Sequence, residues 1–127
     1  MSSLSDFFSQ RIVGRQYLRM FENQARTITN EYIEDAYLFV KKHGYSPSFS
    51  YIMEKMQALT NELTLRAQWM RDEYKEGRGG KASIKLTTSC KRVMKGCIAE
   101  YLNVTKTLNN INVMTHGAPF ITNSYFE

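Results

Sequence analysis

The sequence has little proline, little histidine, little cysteine and no long apolar run. Only 2 prolines, 2 histidines and 2 cysteines occur among its 127 residues. With proline confined to positions 47 and 119, long stretches lack the residue that breaks helices most strongly. No segment approaches the roughly 18 apolar residues of a membrane-spanning helix, and the first residues lack the pattern of a secretory signal peptide. We therefore expect no membrane insertion and no signal-directed secretion, and a location inside a cell or within a virus particle.

The scarcity of histidine and cysteine also argues against catalytic and metal sites. Helical di-metal carboxylate proteins have a glutamate three residues before the histidine ligand. Neither His43 nor His116 has a glutamate at that position. Cys90 and Cys97 are two helical turns apart, which places their Cα atoms about 10 Å from each other, too far for a disulfide. No nucleophile has a base that the sequence identifies. We expect no enzymatic activity, no metal, no cofactor and no small-molecule substrate.

Apolar residues instead recur at alternating spacings of three and four, which is typical of one buried face of a helix. Three segments of the chain show this pattern. The first stripe is Leu4, Phe7, Leu18, Phe21, Ala25, Ile28 and Tyr32, followed by Ile33, Ala36, Tyr37 and Val40; the second is Ile52, Met56, Leu59, Leu63, Ala67, Met70 and Tyr74; the third is Cys90, Met94, Cys97, Tyr101, Val104, Leu108 and Ile111.

Glycine, serine and proline mark the ends of these segments. Gly44 follows three basic residues and is suited to a left-handed helix cap. Ser46 is the predicted N-cap of the second helix, with Pro47 at its first position. The second helix is predicted to stop at Gly77, and the third to begin near Thr87 or Ser89 and to end between Asn109 and Asn112.

These segments predict an all-α protein of three or four long helices in an antiparallel bundle. The count depends on whether the first segment is one helix or two. An unbroken helix over residues 4–42 would be about 58 Å long, against a radius of gyration near 14 Å for a compact chain of this size, so one helix implies an elongated molecule. We assign residues 1–114 to the helical bundle and 115–127 to an extended C-terminal arm.

The predicted arm carries large apolar side chains although it lacks helical periodicity. Such side chains bury a large area for few rotatable bonds. The arm is therefore expected to dock, either on its own bundle or on a neighbouring molecule. Its predicted protein-interface residues are Phe120, Ile121, Tyr125 and Phe126.

Positive charge is concentrated in one part of the chain. The formal net charge is +5, yet residues 66–95 alone hold nine basic and three acidic side chains. A series of arginines at every fourth position adds like charges to the first helix. Glu22 or an acidic side chain of a neighbouring helix or subunit would compensate them, and so would a nucleic-acid backbone. The candidate nucleic-acid contacts are Arg66, Arg71, Lys75, Arg78, Lys81, Lys85, Lys91, Arg92, Lys95, Arg11, Arg15 and Arg19.

The sequence favours a non-enzymatic structural or assembly protein that acts in an oligomer through helix-face and arm contacts. A small component of a virus or phage particle fits this profile. One alternative is a helical nucleic-acid-binding protein that makes sequence-independent phosphate contacts. A third class, a small protein inhibitor, stays open. The expected partner is a protein or a second copy of the chain, with nucleic acid as the other candidate.

Overall fold

The computed structural model describes residues 4–77 and 84–116, and the side chains of residues 14–74 and 85–110. Within these ranges the chain is helical and contains no strand. All three helices pack against one another, which confirms the predicted all-α bundle. The helices are α1 (Leu4–His43), α2 (Phe49–Gly77) and α3 (Ile84–His116).

The first segment is a single helix. With 40 residues, α1 is about 60 Å long. The third helix is longer at both ends than the sequence predicted, because α3 begins at Ile84 and continues to His116, whereas the end of α2 at Gly77 was predicted correctly.

Contacts across the bundle define the register of α1 against α2. The rings of Tyr17 and Tyr74 lie 5.6 Å apart at one end, and those of Phe39 and Tyr51 lie 5.0 Å apart at the other. The two helices are therefore antiparallel, and residues whose numbers add up to about 90 lie at the same level. Because Gly77 ends α2, about ten residues of α1 extend past that end of α2.

The third helix is parallel to α1. The rings of Tyr32 and Tyr101 lie 6.2 Å apart, and Glu22 is close enough to Cys90 to act on its thiol electrostatically. A residue of α3 thus lies at the level of the α1 residue about 69 positions before it. This up-down-up order is what short connections between long helices produce.

The core consists of one apolar stripe from each helix. Phe21, Leu59, Leu63, Met70 and Tyr101 are fully or almost fully buried, and most other stripe members whose side chains are described pack on them. Ala36 and Leu108 are buried outside this cluster, and Val40 and Val104 are half-buried. Tyr37 is exposed and was assigned wrongly, because the buried stripe of α1 continues from Ala36 to Phe39 and Val40.

The turn between α1 and α2 contains the left-handed cap that the sequence predicted. Gly44 has a φ of 75°, a conformation that glycine adopts without the steric cost of a Cβ atom. Its N–H donates to the Val40 carbonyl oxygen at 2.8 Å. An aromatic cluster covers this turn: the Phe39 ring lies 4.3 Å from His43, 6.0 Å from Tyr45 and 5.0 Å from Tyr51.

The N-cap of α2 was assigned to the wrong serine. The Tyr51 N–H donates to Ser48 Oγ at 3.1 Å, and the Ser48 carbonyl accepts the Ile52 N–H at 3.0 Å. These are the two bonds of an N-cap residue. Ser46 is buried, and its hydroxyl has no hydrogen-bond partner among the described residues. Pro47, which is also buried, precedes the helix and is not its first residue.

A leucine in the core and a leucine on the surface are expected to respond differently to truncation. Leu63→Ala removes a side chain that is 0% exposed, whereas Leu38→Ala removes one that is 53% exposed. A buried Leu→Ala change leaves a cavity and lowers the free energy of unfolding by about 3 kcal/mol, while the exposed change costs under about 0.5 kcal/mol. Urea unfolding followed by circular dichroism measures both, and similar losses for the two variants would contradict this core.

Candidate interaction surfaces

The structure describes part of the predicted site. Arg66 lies on α2 and is exposed, whereas Arg71 is half-buried. Arg11 and Lys75 lie in α1 and α2, but their side chains are outside the described residues. The predicted interface residues Phe120, Ile121, Tyr125 and Phe126, and the turn residues Arg78 and Lys81, lie outside the described residues altogether. The remaining candidates are exposed and belong to α1 and α3: Arg15, Arg19, Lys85, Lys91, Arg92 and Lys95.

On α1 the cations form a stripe beside α3. Arg15, Arg19, Glu22 and Arg26 follow one another at spacings of four, three and four, which places them on one face. The charge of Glu22 helps to raise the pKa of the Cys90 thiol of α3, so this face borders α3. All three arginines are exposed, and Glu22 is half-buried.

On α3 the cations cover the side that points away from the core. Lys85, Lys91, Arg92 and Lys95 are all exposed, whereas Leu86 and Cys90 are buried. Residues 85–99 contain no acidic residue. The register places residues 85–95 of α3 at the level of about residues 16–26 of α1, next to the arginine stripe. We call the combined surface the cationic face; its members are Arg15, Arg19, Arg26, Lys85, Lys91, Arg92 and Lys95.

The cationic face contains no ion pair among the described residues, although Glu22 lies between Arg19 and Arg26 on the same stripe. Within residues 14–74 and 85–110, the single ion pair joins Lys55 and Asp35, at 3.9 Å, near the α1–α2 turn. Arg66 and Arg71 belong to α2, which also carries Asp72 and Glu73. Arg66 is exposed on α2, whereas Arg71 is half-buried and lies close enough to Cys90 of α3 to partly oppose the rise in the pKa of its thiol.

A second surface is apolar and lies along the seam between α1 and α2. Leu65 and Trp69 are 71% and 48% exposed, and Met20 of α1 is 46% exposed. Met20 lies three residues after Tyr17, whose ring contacts Tyr74 of α2, so Met20 is on the side of α1 that borders α2. Trp69 lies two helical turns after Glu62, which raises the pKa of Tyr32 of α1, so Trp69 is on the side of α2 that borders α1. In the antiparallel register, Met20 is level with about residue 70 of α2, which is within five residues of both Leu65 and Trp69. We call them the Trp69 patch.

Sequence reasoning missed the Trp69 patch, although a signal for it was present. Leu65 and Trp69 are large apolar residues two positions after Leu63 and Ala67, off the stripe that α2 buries. Further exposed apolar side chains are distributed around the α1–α2 turn end of the bundle. They are Tyr37, Leu38, Phe49, Met53 and Leu102.

The buried titratable groups have the properties of core residues. Burial, more than any nearby charge, raises the pKa of the Cys90 thiol, and Arg71 only partly opposes this effect. Burial, assisted by Tyr51, Asp35 and Tyr32, raises the pKa of Tyr101 to about 12. Both cysteines are free thiols. A thiol whose pKa is raised is a poor nucleophile at neutral pH.

The described side chains form no cluster of three or more His, Cys, Asp or Glu residues able to hold a metal ion. None of the helices has, in its described part, a stretch long and apolar enough to cross a membrane. The features that stand out are therefore two surfaces, one cationic and one apolar. No protein-family model, no curated protein and no solved structure matches this chain.

Tyr101 should make the stability of the bundle sensitive to alkaline pH. Its pKa is 10.0 when exposed and about 12 in the fold, so the folded state holds this proton more tightly. The resulting stabilisation is complete below pH 10 and is lost as the pH rises through 12, a decrease on the order of 2 kcal/mol. Urea unfolding at pH 9 and at pH 11 measures about half of this decrease, roughly 1.3 kcal/mol.

Tyr101→Phe should reduce this decrease, since the variant has no phenol to ionise at that position. Tyr37→Phe, at an exposed position, is the matched control and should retain the decrease of the unmodified protein. If both variants lost stability equally between the two pH values, Tyr101 would not be the group responsible.

Proposed function

We propose that this protein is a non-enzymatic assembly protein that forms an oligomer through helix faces and its C-terminal arm. The observation that carries the proposal is the Trp69 patch, which exposes the chain's single tryptophan next to Met20 and Leu65. Tryptophan is among the residues that contribute most to binding energy at protein interfaces. Contiguous apolar surface with a tryptophan is costly to leave in water and typically marks an interaction site.

The shape of the molecule supports the same proposal. The first ten or so residues of α1 extend past the end of α2, so α2 does not pack along them. Toward the opposite end, where the α1–α2 turn lies, Phe49, Met53 and Leu102 are exposed. A helical assembly protein uses such end surfaces and seams to contact neighbouring copies.

The C-terminal arm is the second contact in the proposal. The last residues of α3 pass the level of the α1–α2 turn, so α3 ends on the side of the bundle where apolar side chains are exposed. Phe120, Ile121, Tyr125 and Phe126 are the arm's proposed anchors on a neighbouring copy. An arm of this kind adds a binding contact whose effective concentration is set by the first interface.

Self-association through the Trp69 patch should be visible in mass and in fluorescence. The molar mass should rise above the 14.8 kDa of one chain as the concentration increases, and the Trp69 emission should shift to shorter wavelength as its ring leaves water. Leu65→Gln should weaken association about tenfold or more, since it places an amide in an apolar contact. Sedimentation equilibrium measures the masses.

Asn30→Gln, which places the same amide at an exposed position of α1 outside the Trp69 patch and the turn end, is the matched control and should leave the mass unchanged. A chain truncated before Phe120 tests the arm: its mass should fall while its far-UV circular dichroism stays nearly the same. A protein that stays at 14.8 kDa at every concentration, without an emission shift, would refute self-assembly.

A further inference from the structure

The cationic face is a product of tertiary structure, because its two parts lie about 60 residues apart in the chain. Residues 15–30 of α1 contribute three arginines and one glutamate, and residues 85–99 of α3 contribute four cations and no acid. The parallel register of α1 and α3 places these two stretches side by side. A local excess of +6 therefore occupies one half of the bundle.

This arrangement is unfavourable in the isolated chain. Arg15 and Arg19 are four residues apart on one helix, as are Lys91 and Lys95, and like charges at this spacing each cost a few tenths of a kcal/mol. None of the seven cations has an ion-pair partner among the described residues. On α2, Asp72 accepts a hydrogen bond from Gln68, and neither Asp72 nor Glu73 forms an ion pair with the seven cations.

The chemistry of the face fits phosphate. Four of its seven cations are arginines, whose planar guanidinium groups bind phosphate oxygens in pairs. From Arg15 to Arg26 the face is about 17 Å long, and with two helices 8–10 Å apart it is of similar width. A nucleic-acid duplex carries about ten phosphates over that length, so the face can meet several phosphates of one backbone.

The face also lacks what single strands require. Among its described residues, the nearby aromatic rings are turned inward: Phe21 is buried, and Tyr17 packs edge-on against Tyr74. Proteins that bind single strands without sequence preference present exposed aromatic rings on which bases stack. The exposed Trp69 lies on the α1–α2 seam, a different side of the bundle.

From this geometry we infer that the cationic face binds the phosphate backbone of double-stranded nucleic acid without sequence preference. Contacts to phosphate position a protein but carry no base information. The inference goes beyond assembly and does not depend on it, because the Trp69 patch and the cationic face share no residue. A protein with both properties would bind along a duplex and contact its neighbours there.

The test is fluorescence anisotropy of a labelled random-sequence duplex, titrated with the full chain from low to physiological salt. If the seven cations each meet a phosphate, the slope of log K against log salt concentration should reach about −6. The variant Arg19→Gln/Arg92→Gln, with one change on each helix, should flatten the slope by about 2 and weaken binding at low salt at least tenfold, equally for unrelated sequences.

Lys41→Gln/Lys42→Gln is the matched control. It removes the same charge from exposed positions at the other end of α1 and should change the slope little. Far-UV circular dichroism checks that both variants remain helical.

Three results would overturn the inference. One is the absence of duplex binding even at low salt, and another is an equal effect of the control variant. The third is tighter binding of poly-L-glutamate than of the duplex, which would instead identify an acidic protein surface as the partner. Self-association data for Leu65→Gln are independent of all three, so the two proposals can fail separately.

Discussion

The register of α1 against its two neighbours is the constraint on which the other features of this molecule depend. It is set by core packing and by the turn at Gly44, where a left-handed residue and an aromatic cluster join α1 to α2. A shift of one turn would move Tyr17 away from Tyr74 and Tyr32 away from Tyr101. It would also separate the arginine stripe from the lysines of α3 and Met20 from Trp69. Both proposed surfaces thus depend on the same packing.

The core was predictable because each helix buries one stripe and the stripe is visible in the spacing of apolar residues. The stripe of α2 from Ile52 to Tyr74 is confirmed throughout. Errors occurred where spacing alone is ambiguous. Tyr37 follows Ala36 but points to solvent, and the cap moved from Ser46 to Ser48 because capping depends on which hydroxyl reaches a free N–H.

The surfaces were less predictable, for a different reason. The sequence groups Arg66 with the lysines of α3 because they are close along the chain, whereas the bundle groups those lysines with Arg15 and Arg19. Such a regrouping requires the relative direction of helices that are not adjacent in sequence. Exposed apolar residues such as Trp69 were not predicted, because the spacing of apolar residues identifies only the buried stripe. A hydrophobic residue off the stripe is the sequence signal to examine.

The parallel register of α1 and α3 can be tested directly by electron-electron distance measurements between pairs of spin labels. The labels would be attached to cysteines in a chain with Cys90→Ala and Cys97→Ala. Labels at positions 26 and 95 should lie within about 20 Å of each other, since helices pack 8–10 Å apart and the two positions share a level. Labels at positions 26 and 110 should be farther apart by roughly 10 Å or more, because fifteen residues of helix separate 95 from 110. A shorter distance for the second pair would contradict the register and, with it, the cationic face.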